Sequence, residues 1–211
     1  MKKSVYSLVL SDDVVAEVDR AAYQNGLSRS AMINQILAEY VSYTTPEQRM
    51  REIFSQVERL LTPGGVFQTL LQPSDSMMSL RSALAYKYNP NVRYSVELYP
   101  NRPGQGELRV SLRSQSSALI LYLGQFFRLW AKLEQAYIGG ADCVIEDGKY
   151  ARKLNLPARL SEGEQGAVLA GYIRAMERGL GAFFNSLEDP RQAAAAVERA
   201  YQEYLKQYPA I

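Results

Sequence analysis

The sequence predicts a mainly α chain with a small β content, of α+β class. It has two parts, a strand followed by two helices over residues 1–44 and a helix-rich α+β domain over 45–211. Three observations carry this. A β-rich run opens the chain and leads into two short amphipathic helical patterns. Two segments near the middle alternate apolar and polar residues around a Pro/Gly-rich loop, as an antiparallel hairpin does. Long apolar-periodic stretches with cap residues then occupy most of the remainder.

The first strand is Ser4-Val5-Tyr6-Ser7-Leu8-Val9-Leu10, rich in β-branched and aromatic residues. Ser11-Asp12-Asp13 supplies an N-cap and two first-turn carboxylates for a helix that carries Val14, Val15, Val18, Ala21 and Ala22 at helical spacing and stops at Gly26. Leu27-Ser28-Arg29-Ser30 opens a second helix with Ile33, Ile36, Leu37, Tyr40 and Val41 on its apolar face. So short a unit cannot bury these faces alone, and it needs a partner.

Thr45-Pro46-Glu47-Gln48 starts a further helix with a capping box, its stripe running through Met50, Ile53, Phe54, Val57, Leu60 and Leu61 to a stop at Thr62-Pro63-Gly64-Gly65. Residues 74–88 read as another helix. Val92, Tyr94, Val96 and Leu98, then Leu108, Val110 and Leu112, form the buried sides of the hairpin, joined by the loop 100–106. Residues 116–137 make a helix apolar nearly all round and central to a core. A small hairpin turns at Asp147-Gly148. Ser161-Glu162-Gly163-Glu164 caps a long helix containing five glycines, which either pack closely or mark a bend or break. Asp189-Pro190 caps a last helix.

Composition narrows the function classes. The chain has no histidine, one cysteine (Cys143) and a net charge of +2. Histidine-based catalysis, histidine-ligated metals, zinc fingers and intrachain disulfides are excluded. No paired carboxylates stand at a catalytic spacing and the Gly-Gly pairs lack the context of a phosphate loop; the reading is of no enzyme, no metal and no cofactor. No signal peptide is visible, and the most apolar stretch, 118–133, is broken by Gln125, Arg128 and Lys132, so no membrane span and a cytoplasmic location are expected.

The strand, LSDDVV, AAYQNGLSRSAMINQIL and EYV together resemble the CopG/Arc/MetJ family of ribbon–helix–helix DNA-binding proteins, and Gly26-Leu27-Ser28-Arg29-Ser30-Ala31-Met32-Ile33 is especially similar to the CopG-type start of the second helix. The resemblance covers about residues 3–44. It implies a homodimer, or a higher oligomer, whose paired strands enter the major groove of double-stranded DNA. Tyr6, Leu8 and Leu10 would then form the dimer core, and Val5, Ser7 and Val9, with Lys3 at the ribbon end, would face the bases. Valines depart from the polar groove residues usual in the family, and can offer only apolar contact to thymine methyls. Ser28, Arg29 and Ser30 would hold a DNA phosphate at the second helix's N-terminus. The first 44 residues carry Lys2, Lys3, Arg20 and Arg29 against Asp12, Asp13, Glu17, Asp19 and Glu39, a net charge of −1 that gives little non-specific attraction to DNA.

In the hairpin, pairing Glu97 with Arg109 would set Arg93 opposite Arg113, a like-charge arrangement that calls for an anion. Arg93, Arg109 and Arg113 are therefore a candidate secondary anionic-ligand surface, beside the simpler reading of a solvated face. Lys149, Arg152 and Lys153 form a small basic cluster after the Asp147-Gly148 turn, read as solvated. The resulting expectation is a CopG-type transcriptional repressor whose second domain drives assembly or senses an effector. Two alternatives stand beside it. One is an antitoxin-like or scaffolding protein whose ribbon only dimerises and whose C-terminal domain binds a protein partner; the other is a plasmid maintenance or mobilisation accessory protein.

Overall fold

A computed structural model describes residues 5–70 and 74–211. The chain is α+β, and its two compact units divide between Arg49 and Met50. The first holds helices α1 (Asp12–Gln24) and α2 (Arg29–Tyr40). Gly26, at φ +63°, ends α1; its N–H and that of Leu27 close back on the Tyr23 and Ala22 carbonyls at 3.2 and 2.8 Å, the paired bonds of a Schellman stop. Ser28 caps α2 by accepting from the Ala31 N–H at 3.3 Å. Between the helices lies a small core of Val18, Ala22 and Met32, with Ala21, Leu27 and Ile33 partly buried around it. Residues 5–10 belong to no strand, and the first strand among the described residues begins at Phe67.

Helix α3 (Pro46–Leu61) carries the boundary. It opens with the expected capping box: the Gln48 N–H donates to Thr45 Oγ1 at 3.2 Å, and Gln48 Oε1 accepts from the Thr45 N–H at 2.9 Å. The second unit is a six-stranded antiparallel sheet with helices. Its strands are β1 (Phe67–Thr69), β2 (Met77–Ala83), β3 (Asn91–Leu98), β4 (Gln105–Leu112), β5 (Cys143–Glu146) and β6 (Lys149–Asn155), in spatial order β1-β2-β3-β4-β6-β5. Helix α4 (Ser117–Ile138) connects β4 to β5, and α5 (Glu162–Asn185) and α6 (Pro190–Gln207) follow β6.

Period-two alternation gives the sheet two unlike faces. Leu80, Val92, Tyr94, Val96, Leu108, Val110, Tyr150 and Leu154 turn inward and share one hydrophobic core with the buried sides of α3, α4, α5 and α6. Of the other set, Arg81, Arg93, Arg109, Arg113 and Lys149 are exposed.

The core contains a buried ion pair. Arg152 and Glu134 are 1% and 0% exposed, with Nε to Oε1 at 2.7 Å. Glu134 also accepts from the Tyr150 and Tyr172 hydroxyls at 2.8 and 2.9 Å, and Tyr172 in turn accepts from Trp130 Nε1 at 2.8 Å. Arg152 further donates to the Lys153 carbonyl at 3.1 Å and to the Ile211 backbone oxygen.

Helix α5 runs unbroken through its five glycines. Three of them make room for close neighbours: a Cβ on Gly166 would lie 2.7 Å from the Ile53 carbonyl oxygen of α3, one on Gly171 would meet the Tyr208 ring, and one on Gly179 would touch Trp130.

Besides the expected N-terminal strand, which residues 5–10 do not form, three sequence expectations in the second unit are corrected. Residues 77–83 form strand β2 rather than part of a helix over 74–88. Met, Leu, Arg and Ala favour helix intrinsically, but here Met78 and Leu80 turn into the core from between two paired strands, and tertiary context overrides propensity. The hairpin is in a different register: Ser95 faces Arg109, Arg93 faces Ser111, and Glu97 faces Glu107. A two-residue slip keeps every side chain on its own face, so the apolar pattern allows both registers and the turn chooses between them. Pairing continues to Leu98 and Gly106, and the tight turn that follows is closed by the Tyr99, Arg102 and Gln105 backbones. Finally, Arg152 belongs to the core rather than to a solvated basic turn.

Three substitutions check this packing. Replacing Arg152 with Ala leaves a buried carboxylate without its cation, and urea unfolding followed by Trp130 fluorescence should show a loss of about 3–5 kcal/mol. Gly166→Ala should cost about 1–3 kcal/mol by overpacking against α3. Gly181→Ala, where nothing lies within 4 Å, should instead stabilise by about 0.4–1 kcal/mol in the same assay.

Candidate nucleic-acid interface

The residues expected to face DNA are mostly on the surface of the first unit. Lys3 lies outside the described residues. Val5 and Val9 are 98% and 102% exposed, and Ser7 is exposed as well. Leu8 and Leu10 are more sheltered, at 59% and 41%. Tyr6, assigned by resemblance to the same side as these leucines, is largely exposed. The helices leave apolar surface uncovered too: Val14, Ile36, Leu37, Tyr40 and Val41 are all exposed. Val14, Val18, Ala21 and Ile36 line a groove of about 490 Å³ edged by Asp13 and Glu17.

At the start of α2 the three residues expected to hold a phosphate differ in availability. Ser28 spends its oxygen on the cap, while Ser30 is exposed. Arg29 is held by Asp19 in a two-point fork, Nε to Oδ1 at 2.6 Å and Nη2 to Oδ2 at 2.5 Å. These hydrogen bonds keep the Asp19 carboxyl below the usual carboxylate range and push the Arg29 guanidinium up. Both side chains remain about half exposed, so the pair is a weak surface clamp that a phosphate could replace.

The second candidate surface is on the open face of the sheet. Arg93, Arg109 and Arg113 are brought together there, although not in the expected pairing. Arg93 lies opposite Arg81 on β2 and opposite Ser111 on β4, and Ser111 lies opposite Lys149 on β6. Arg109 is neutralised locally, by Glu107 and by Glu97 at 3.4 Å. Among the described residues, Arg93 donates to the Ser79 and Ser95 hydroxyls alone, at 3.2 Å each.

The basic cluster at the Asp147-Gly148 turn is divided by strand parity. Arg152 turns into the core, Lys153 pairs with Asp142, and Lys149 joins the arginines. The part played by Lys149 and Ser111 depends on the pairing of β4 with β6, strands separated in sequence by α4, and no local pattern signals it.

No protein family, curated protein or solved structure matches the chain. Among the described residues, no group of three or more Cys, Asp or Glu side chains could hold a metal ion, and no helix is long and apolar enough to cross a membrane.

Proposed function

We propose that the chain is a dimeric DNA-binding repressor of the CopG type, with its N-terminal unit acting as a ribbon–helix–helix. The observation that carries this is the uncovered apolar surface of that unit. A run with Leu8 and Leu10 more sheltered than Val5 and Val9 precedes two helices that leave an apolar groove open between them. In the dimer, residues 5–10 of two chains pair as an antiparallel ribbon, with Leu8 and Leu10 inward and Val5, Ser7 and Val9 toward the major groove. A second copy's helices fill the groove lined by Val14 and Ile36. The backbone N–H groups of Ser28, Arg29 and Ser30 point to a phosphate at the positive end of α2.

Two observations favour a second reading, in which the ribbon only dimerises and the chain acts as an antitoxin-like or scaffolding protein. Asp19 holds the one arginine at the phosphate position, and the net charge of residues 1–44 is −1. A plasmid maintenance or mobilisation role is a variant of the DNA-binding reading.

Sedimentation separates dimer from monomer. Leu8→Lys should dissociate the dimer, whereas Val9→Lys, on the outer face, should leave it intact. Equal behaviour of the two variants would reject the ribbon. DNA binding is read by fluorescence anisotropy on duplex from the upstream region across a salt titration. Arg29→Ala should weaken binding on all sequences and lower the log–log salt slope by about 0.9, the contribution of one phosphate contact. Asp19→Asn, which releases Arg29, should tighten binding. No binding at low salt by an intact dimer would instead support the dimerisation-only reading.

A further inference from the structure

The open sheet face of the second unit concentrates positive charge around one hydroxyl. Ser111 has Arg93 and Lys149 on the neighbouring strands at about 4.8 Å backbone spacing, Arg109 two residues before it on β4 at about 7 Å, and Arg113 just past the end of that strand. These residues line a depression of about 600 Å³, which also takes in Glu97 and Glu146. Arg109 is occupied by Glu97 and Glu107. Among the described residues, Arg93, Arg113 and Lys149 have no ion pair; Glu146 faces Lys149 across the β5–β6 pairing without closing one. On the adjoining strand Arg81 lies directly opposite Arg93, a like-charge pair beside the cluster. Like charges directly opposite, as Arg81 and Arg93 are, are unfavourable unless an anion offsets them, and the cations around Ser111 give an anion a place to sit.

We infer that this depression binds a compact phosphorylated small molecule, its phosphate over Ser111 between Arg93, Arg113 and Lys149. Charge complementarity selects the anion, and guanidinium forks and hydroxyls suit phosphate oxygens. The volume falls within the ~300–1,000 Å³ range of small-molecule sites and exceeds what a free phosphate needs. Val144 and Ala151 on the β5–β6 side provide apolar contact for the organic part. A single strand of nucleic acid fits less well: among the described residues lining the depression the one aromatic, Tyr150, is buried in the core and offers no exposed ring for bases to stack on. The site lies wholly within the second unit, so the inference does not depend on the ribbon.

Calorimetric titration of the full chain with inorganic pyrophosphate and with ADP at 50 mM salt tests this. One site per chain is expected for each, weakened at least tenfold by Arg113→Gln or Lys149→Gln and unchanged by Arg191→Gln on the exposed start of α6. The thermal midpoint of Arg113→Gln without ligand should equal or exceed that of the parent, because a repulsion is relieved. A lower midpoint would mark Arg113 as structural and overturn the inference. So would absence of binding by the folded parent chain, or equal weakening by Arg191→Gln. Displacement of pyrophosphate from the parent chain by a random-sequence duplex, with Arg113→Gln abolishing that duplex's binding, would assign the face to the DNA backbone and likewise overturn it.

Discussion

The buried Arg152–Glu134 pair organises the second unit. Two charges withdrawn from water carry a large desolvation cost, and only a complete set of partners makes their burial tolerable. Glu134 on α4 receives Arg152, Tyr150 and Tyr172; Arg152 reaches in addition the Ile211 backbone oxygen and lies 4.9 Å over the Tyr172 ring. Burial, reinforced by nearby charge, pushes the Tyr150 and Tyr172 phenols well above their ordinary range, so both remain protonated donors to the carboxylate. An apolar contact tolerates sliding, but this arrangement does not. It joins α4, α5 and β6 in one relative position and fixes which residues of β6 turn inward.

That fixed parity reaches the opposite face. With Tyr150, Arg152 and Leu154 inward, Lys149 and Ala151 must stand outward, and the pairing of β6 with β4 sets Lys149 beside Ser111. The same strand thus supplies a cation to the core, where it is matched, and a cation to the surface, where no ion pair closes on it. On β4, Arg109 bridges Glu97 and Glu107, two carboxylates that the register sets directly opposite each other. Its charge is therefore used within the sheet, and Arg93, Arg113 and Lys149 are left to set the character of the depression.

Local chemistry was readable where it is self-contained. The Thr45, Ser161 and Asp189 caps, the Gly26 stop, the Asp147-Gly148 turn and the apolar helix over 116–137 all depend on neighbours within a few residues, and all were visible in the sequence. Strand β2 was not, because its Met, Leu, Arg and Ala residues suit a helix until flanking strands pair with it. The hairpin was visible but its register was not, since a two-residue slip preserves inside and outside. Arg152 looked like one of three surface cations because nothing near it in sequence announces Glu134, eighteen residues earlier across a helix and a strand. Of the basic surface, three arginines were visible as strand residues; Lys149 and Ser111 join them only through non-local pairing.

The small core of the first unit has a consequence for how that unit persists. Val18, Ala22 and Met32 are few side chains to set against the conformational entropy of two helices, whereas the second unit buries an extensive core on its own. In the proposed dimer, a second copy covering the exposed valines, leucines and isoleucine would supply much of the first unit's folding free energy, and its melting point would then rise with protein concentration by mass action. On that proposal, one polypeptide joins a part whose order would follow concentration to a part that carries an extensive core of its own.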